Sequence, residues 1–515
     1  MKATTATISA PYLGWNTRDP LDQMKEGYAV KLVNVYPDQG YVRTRKGYRL
    51  HCNTGENADV QTLIEFPLQN GNTQLIAGVN GKLINVTGST PTTLATGLTN
   101  NQWQHAIFNN TVILVNGSDA PRNYNGTTVT TPTYQSHTGH HGLVSSSLID
   151  VTVYKNRLYF VEKNSASFWY GDLRATTGDL KEFDLQTVTQ RGGTLAFLAP
   201  FSRDTGVGLR DYLVAVTSEG EVLVYEGTDP DTASDWGLAA RFFLPAPVAG
   251  RRAYYNFGSD LLIVHKAGIT ALGTLLTAGN TAKYAAVTDV INKSFLDAAT
   301  TWGDTSGWCL KYHPIAQSLY VNIPVYNAAE QFVMNPTIGA WTRYVGMHAF
   351  HWATMDDRLF FSSAGGKIYE AHWGADDNGG YIRSEIKTAY TYFGNRASTK
   401  RFTLARPTVK TPTGLKFSMA VDCDFQEGVF GTVQIGEPST SLWNTSIWNV
   451  SLWDYPQISS EDSYSLTSIG RCASLSLAVE TKVGSVELFA ASITFEIGSV
   501  ELSAASITFE IEDIF

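Results

Sequence analysis

Apolar and polar positions alternate over short stretches along most of this chain, with a period of two rather than 3.6. From about residue 60 to residue 375 one unit recurs: an apolar strand, a polar turn, and a second strand ending near Gly or Asn. TLIEFPLQNGNTQLIAGVNGKLINVT opens the series, followed by HAIFNNTVILVNG, VTVYKNRLYFVEK and YLVAVTSEGEVLVYEG. YYNFGSDLLIVHKAGITAL, LKYHPIAQSLYVNIPVY and WATMDDRLFFSSAGGKIYEA complete it. A lone hairpin of this kind is marginal in water, whereas radial stacking buries both faces and shelters the edges. About seven units at a period of roughly 40–50 residues predict a propeller-like array of small antiparallel sheets. That array covers residues 59–375. No WD or kelch signature repeats, so periodicity alone carries the expectation; one or two β-sandwiches are the alternative.

The two ends follow other patterns. Residues 1–58 are turn-rich and locally basic, and read as an N-terminal arm and platform segment. Asp19 as a cap and Pro20 at the first helical position predict a short helix over 20–35. YPDQGYVRTRKGYRLH predicts a turn and then a strand, with Tyr41, Arg43 and Arg45 on one face and Val42 and Thr44 on the other. The Gly-rich GADDNGGYI at 374–382 reads as a linker. Beyond it, residues 376–515 predict an acidic, sandwich-like β domain with strands in IKTAYTYFG, LKFSMAVDCDF and CASLSLAVE. Trp443, Trp448 and Trp453 stand five apart, an odd spacing that predicts a bend or a run of turns rather than a straight strand. GSVELFAASITFEI at 484–497 is followed by GSVELSAASITFEI at 498–511. An even period of fourteen keeps register and predicts two matched strands or hairpin arms.

Composition narrows the function. Aromatic residues make up 12% of the chain and charged residues 17%, which suits an all-β protein with large buried contacts. A net charge of -9 argues against a general nucleic-acid binder, but not against a surface that DNA passes without sticking. Cys52, Cys309, Cys423 and Cys472 form no CxxC pair and read as buried, reduced thiols, with disulfides as the alternative. The first twenty residues hold no apolar core of signal-peptide length, and no apolar run is long enough for a membrane span.

Reaction machinery is not evident. There is no GxSxG elbow, Walker loop or HExxH, and no metal or cofactor motif. The adjacent His140 and His141 read as a solvent loop, His348 and His351 as packing residues beside Trp352, and Asp356 and Asp357 as turn formers. TDPDTASDWG at 228–237 and TWGDTSGWC at 301–309 partly match the Asp-box of propeller sialidases, without its full spacing. Asp422 and Asp424 in VDCDF are two apart, so they share one face of a strand. They suit hydrogen bonds to a neighbouring loop better than a cation site or an acid pair. The acidity of the C-terminal domain reads either as a solubilising surface or as a channel wall that repels phosphates. Asp422, Asp424, Glu487, Glu496, Glu501 and Glu510 are the candidates for such a wall.

One stretch carries a family resemblance. APYLGWNTRDPLDQMKEGYAVKLVNVYPDQGYVRTRKGYRLH resembles the N-terminus of the tail nozzle (tail tubular, or packaged-DNA-stabilising) proteins of short-tailed bacteriophages. The matching positions are Gly14, Trp15, Asn16, Asn34, Pro37, Gly40, Arg43, Arg45 and Gly47. KTAYTYFG, KRFTLARPTVKT and VDCDF are similar to segments that follow the propeller in such proteins; the duplicated end lies outside the resemblance. The resemblance implies a virion structural protein, made in the host cytoplasm, that combines a propeller with platform and tip domains. It implies a homohexameric ring below the portal and adaptor proteins. That ring would dock tail fibres or spikes and guide viral DNA without sequence-specific binding. Trp15, Asn16, Arg18, Asp19, Arg43 and Arg45 are then the candidates for contact with a neighbouring subunit or the adaptor, Trp and Arg being favoured at interface hot spots. Two other readings remain beside it: a carbohydrate-binding or depolymerising propeller of the receptor-binding kind, and a minor capsid or decoration protein.

Overall fold

The computed structural model describes residues 3–204, 208–278, 286–325, 330–410, 416–434, 464–482 and 485–497. It is all-β, with the α-helices Leu272–Ala278 and Asn292–Trp302 among the described residues. Six small sheets stand as the blades of a β-propeller. Their innermost strands are Thr62–Pro67, Gln104–Phe108, Leu148–Tyr154, Leu195–Asp204, Tyr254–Phe257 and His351–Met355. The meander Cys309–His313, Ser318–Ile323, Glu330–Asn335 and Ala340–Val345 fills the ring between the last two of these, and continues into a ten-stranded sheet. All the hairpin units expected from the sequence form.

Turn chemistry sets the hairpins. Asn109–Asn110, Lys155–Asn156 and Asp356–Asp357 each place two consecutive residues at positive φ, as a tight two-residue β-turn requires. Asp356 and Asp357 thus do shape the turn they precede. Between blades, large side chains interdigitate. Phe66, Trp103 and Tyr124 fill the gap between the first two, and Tyr154, Phe168 and Trp236 the gap between the third and fourth. Each such burial stabilises by about 1.5–3 kcal/mol, which is why blades stand in the ring that would not stand alone. Among the described residues the fifth blade has three strands, and the helix Leu272–Ala278 packs on Asp260–His265 beside it.

The ring is closed by the other end of the chain. Tyr48–Asn53 is the outer strand of the last blade, antiparallel to Lys367–Ala371 with Cys52 opposite Ile368. Residues 1–58 are therefore not a separate arm. Their last strand belongs to the propeller and the others belong to the C-terminal sandwich. In that sandwich, Tyr28–Val33, Ile382–Thr388, Ala473–Thr481 and Lys416–Cys423 extend the ten-stranded sheet outward from Ala340–Val345. The facing sheet centres on Lys400–Lys410 and Glu487–Ile497, joined by Ala3–Ser9, Val42–Thr44 and Val35–Pro37. Leu32, Val42, Ile386, Val409, Phe417, Leu477 and Leu488 are buried together in its core.

The helix expected over 20–35 does not form. Residues 20–27 are turns and Tyr28–Val33 is a strand. Gly27 sits at φ 91°, outside the helical region, and the β-branched Val30 and Val33 meet a waiting partner in Ile382–Thr388. The stretch 374–382 is also no loose linker: Asp376 and Asp377 pack into the seam described next.

Candidate functional site

Most of the expected contact residues turn inward. Trp15 is 8% exposed and lies edge-on to Phe332 at 5.4 Å, so it anchors its own chain rather than a neighbour. Asn16 is buried, and its Oδ1 accepts the N–H groups of Arg18 and Asp19 at 3.0 Å. Arg18 pairs with Asp19 at 2.8 Å and with Asp289, keeping nearly half its side chain exposed. Arg43 stacks over Tyr36, 4.8 Å from the ring centre.

Arg45 departs furthest from expectation, with its side chain only 1% exposed. Its guanidinium holds Asp377 in a two-pronged pair at 2.8 and 2.6 Å. It also donates to Asn34 Oδ1 at 2.9 Å and to the Val345 carbonyl at 3.0 Å. Asn34 adopts φ 55°, which Asn tolerates, and Nδ2 donates to the Arg383 carbonyl. A methyl group on Gly47 would overlap the Asp376 carbonyl, and one on Gly14 would come within 2.7 Å of the Trp341 backbone. Asn34, Arg45 and Gly47 thus lock the seam between propeller and sandwich.

The acidic candidates among the described residues meet partners within their own chain. Asp422 is buried, paired with Lys387 at 2.8 Å and accepting from Ser476 Oγ at 2.6 Å and the Gly428 N–H at 2.8 Å. Asp424 has φ 45°, which breaks the alternation, and accepts the N–H groups of Arg471 and Cys472. That is the loop bonding expected of it. Glu487 stands 3.6 Å from Lys410, and Glu496 lies half-buried opposite Arg401. Glu501, Glu510, the second repeat copy and Trp443, Trp448 and Trp453 lie outside the described residues. The four cysteines are free thiols, and no cluster of metal-ligating side chains occurs among the described residues. His141 is held between Glu162 and Glu182, edge-on to Trp169.

Chemistry-bearing side chains converge instead in the propeller's central channel. Its middle is a cavity of about 320 Å³ lined by Glu65, Gln104, His105, Asp150, Arg251, Arg252, Tyr254, Lys311 and His351, among others. A further cavity shares Gln104, Arg251 and Arg252 with it on one side, and another shares Glu65, Tyr255 and Lys311 on the other. Five of the innermost strands contribute to its lining: Thr62–Pro67, Gln104–Phe108, Leu148–Tyr154, Tyr254–Phe257 and His351–Met355. Burial disfavours charge on Glu65, but Lys311 at 2.7 Å and Thr354 at 2.6 Å outweigh it and hold the carboxyl below the usual range. His351 Nδ1 accepts the Leu63 N–H at 3.0 Å. Burial keeps His351 neutral and pushes His105 down to about 4. Asp150 is 3% exposed and accepts only the Leu198 N–H, at 3.2 Å, beyond its own strand; burial pushes its carboxyl up to about 7.

The adjacent arginines differ sharply. Arg252 bridges three blades, donating to the Gln61 carbonyl, Thr62 Oγ1 and the Trp103 carbonyl at 3.1, 2.8 and 2.8 Å. All three acceptors are neutral, and burial lowers its pKa to about 10. Arg251 has no hydrogen bond or ion pair among the described residues, and its Nε is buried without a partner. The sequence did carry a signal for this channel. LIDVTVY, TLIEFP and QHAIF set Asp150, Glu65 and His105 inside largely apolar innermost strands.

No family model matches the chain, and no curated protein matches its sequence. Solved structures similar to it include YCF48 bound to D1 peptide, at 11% identity and TM-score 0.37, covering 66% of this chain and 97% of that one. The BBS1N–ARL6DN complex matches at 13% identity and TM-score 0.39, covering 64% and 98%. The Cps50 (Swd1) β-propeller domain of Myceliophteria thermophila matches at 10% identity and TM-score 0.39, covering 63% and 99%. These likenesses do not bear on function. The propeller is established by the strand topology itself.

Proposed function

We propose that this chain is a virion structural protein, a subunit of the tail nozzle of a short-tailed phage. The observation that carries the reading is the way the propeller is inserted into a sandwich built from both chain ends. A propeller on a platform is the combination that the sequence resemblance implies. The resemblance residues Asn34, Arg45 and Gly47 meet at the seam between the two parts, where a shared architecture needs them. In this reading the propeller is a rigid wall element, and the chain works as a homohexameric ring under the portal and adaptor proteins. The contact surfaces lie elsewhere than on Trp15, Asn16 and Arg45, which are consumed internally.

Particle mass tests it. Sedimentation of the purified chain, alone and mixed with portal and adaptor rings, is expected to yield a closed ring of about six copies in at least one condition. A chain that stays monomeric in both, or forms a trimeric spike, overturns the reading. A carbohydrate-binding propeller is the second reading, favoured by the polar channel with its arginines and tyrosines. Retention on a glycan array, with no ring formation, would select it.

A further inference from the structure

The channel holds more positive charge than its own side chains neutralise. Lys311 is matched by Glu65. Arg252 spends its donors on neutral oxygens, and Arg251 has no hydrogen bond at all. The nearest acid to Arg251, Asp150, approaches no closer than an indirect charge interaction and forms no ion pair within 4 Å. Arg251 is half-buried with its Nε enclosed and without an acceptor, an unfavourable state that an anion normally relieves. The fork of Arg251 suits two oxygens at once, as a carboxylate or phosphate presents them.

We propose that the propeller channel binds a small oxyanion, a carboxylate or phosphate ester, with Arg251 as its fork and Gln104 and Asn256 as neutral neighbours. The cavity of about 320 Å³ falls in the range of small-ligand sites and has room for more than the anionic group itself. Tyr254 and Tyr255 supply aromatic surface and hydroxyls for the remainder of the ligand, as a sugar acid or sugar phosphate would require. Arg252 is a positioning residue here, since it ties the blades together and so holds the neighbouring Arg251 at the channel. This inference is independent of whether the chain is a nozzle subunit.

The test uses the full chain and calorimetric titration with inorganic phosphate, glucuronate and glucose. Saturable binding of phosphate or glucuronate, with glucose weaker, is expected. A preference for glucuronate assigns a carboxylated sugar, and a preference for phosphate assigns a phosphate ester. Arg251→Gln should weaken the preferred anion by about tenfold or more, with an unchanged circular dichroism spectrum. Arg251→Lys should recover part of the loss, because it restores charge without the fork. If Arg251→Gln fails to fold, diffraction from crystals of the unmodified chain soaked in selenate decides instead: density beside Arg251 upholds the proposal, and its absence overturns it. Saturable binding of neither anion, or binding unchanged in a folded Arg251→Gln, also overturns it.

Discussion

Arg45 and Arg251 are two inward-facing arginines surrounded in opposite ways. At the seam, Arg45 meets Asp377 through both terminal nitrogens and reaches Asn34 and a backbone carbonyl as well. In the channel, Arg251 meets nothing within hydrogen-bond distance among the described residues. The first charge is fully matched by groups of the chain, so it serves the architecture. The second is unmatched, so it reads as a group awaiting a ligand. Arg45 is buried and Arg251 half-buried, but it is the acceptors around them that set their roles apart.

The comparison can be broken at either end. The largest effect is expected from Arg45→Met, which leaves the Asp377 carboxylate without its guanidinium partner. A loss of about 3–5 kcal/mol is expected in denaturant unfolding, and a loss under about 1 kcal/mol would show that the seam does not depend on it. Next comes Asp150→Asn in the channel. The folded pKa near 7 lies above the unfolded value of about 3.9. Between those values the folded state keeps a proton that the unfolded state has lost, so stability falls as pH rises from about 4 to 7. The variant removes that slope and should gain roughly 2–4 kcal/mol over the parent at pH 8, with little difference at pH 4. Parallel stability curves for parent and variant would refute this.

Gly47→Ala sharpens the seam. Its methyl group has no room beside the Asp376 carbonyl, and a cost of about 1–3 kcal/mol is expected. The seam has two parts, and this substitution tests shape where Arg45 tests charge. The smallest effect is expected from Arg251→Gln without any added anion: a change within about 1 kcal/mol, or a slight gain, because an uncompensated charge is removed. A loss comparable to that of Arg45→Met would place both arginines in the same architectural class.

Much of the fold was legible in the pattern of positions. The hairpins of the ring, the turns at Asn109–Asn110 and Asp356–Asp357, and the strands in LKFSMAVDCDF and CASLSLAVE all follow from alternation and turn chemistry. The candidate contacts were less legible. Trp and Arg are enriched at interfaces and in tightly packed internal seams alike, so Trp15 and Arg45 carry the same sequence signal in both settings. Their partners Phe332 and Asp377 lie more than 300 residues along the chain. His351 beside Trp352 read as packing, because its neighbours in the channel, Arg252 and His105, come from other blades.

The sequence by itself determined the type and approximate place of the strands, since alternation and turn preference depend on adjacent residues. It also determined that an acidic residue recurs in innermost strands such as LIDVTVY and TLIEFP. Only the tertiary structure decided that Tyr48–Asn53 closes the ring, that Ala3–Ser9 pairs with Glu487–Ile497, and that Tyr28–Val33 is a strand rather than a helix. Those choices depend on which edge is available hundreds of residues away. Whether a buried arginine is satisfied or left open depends on the acceptors that such pairing brings to it.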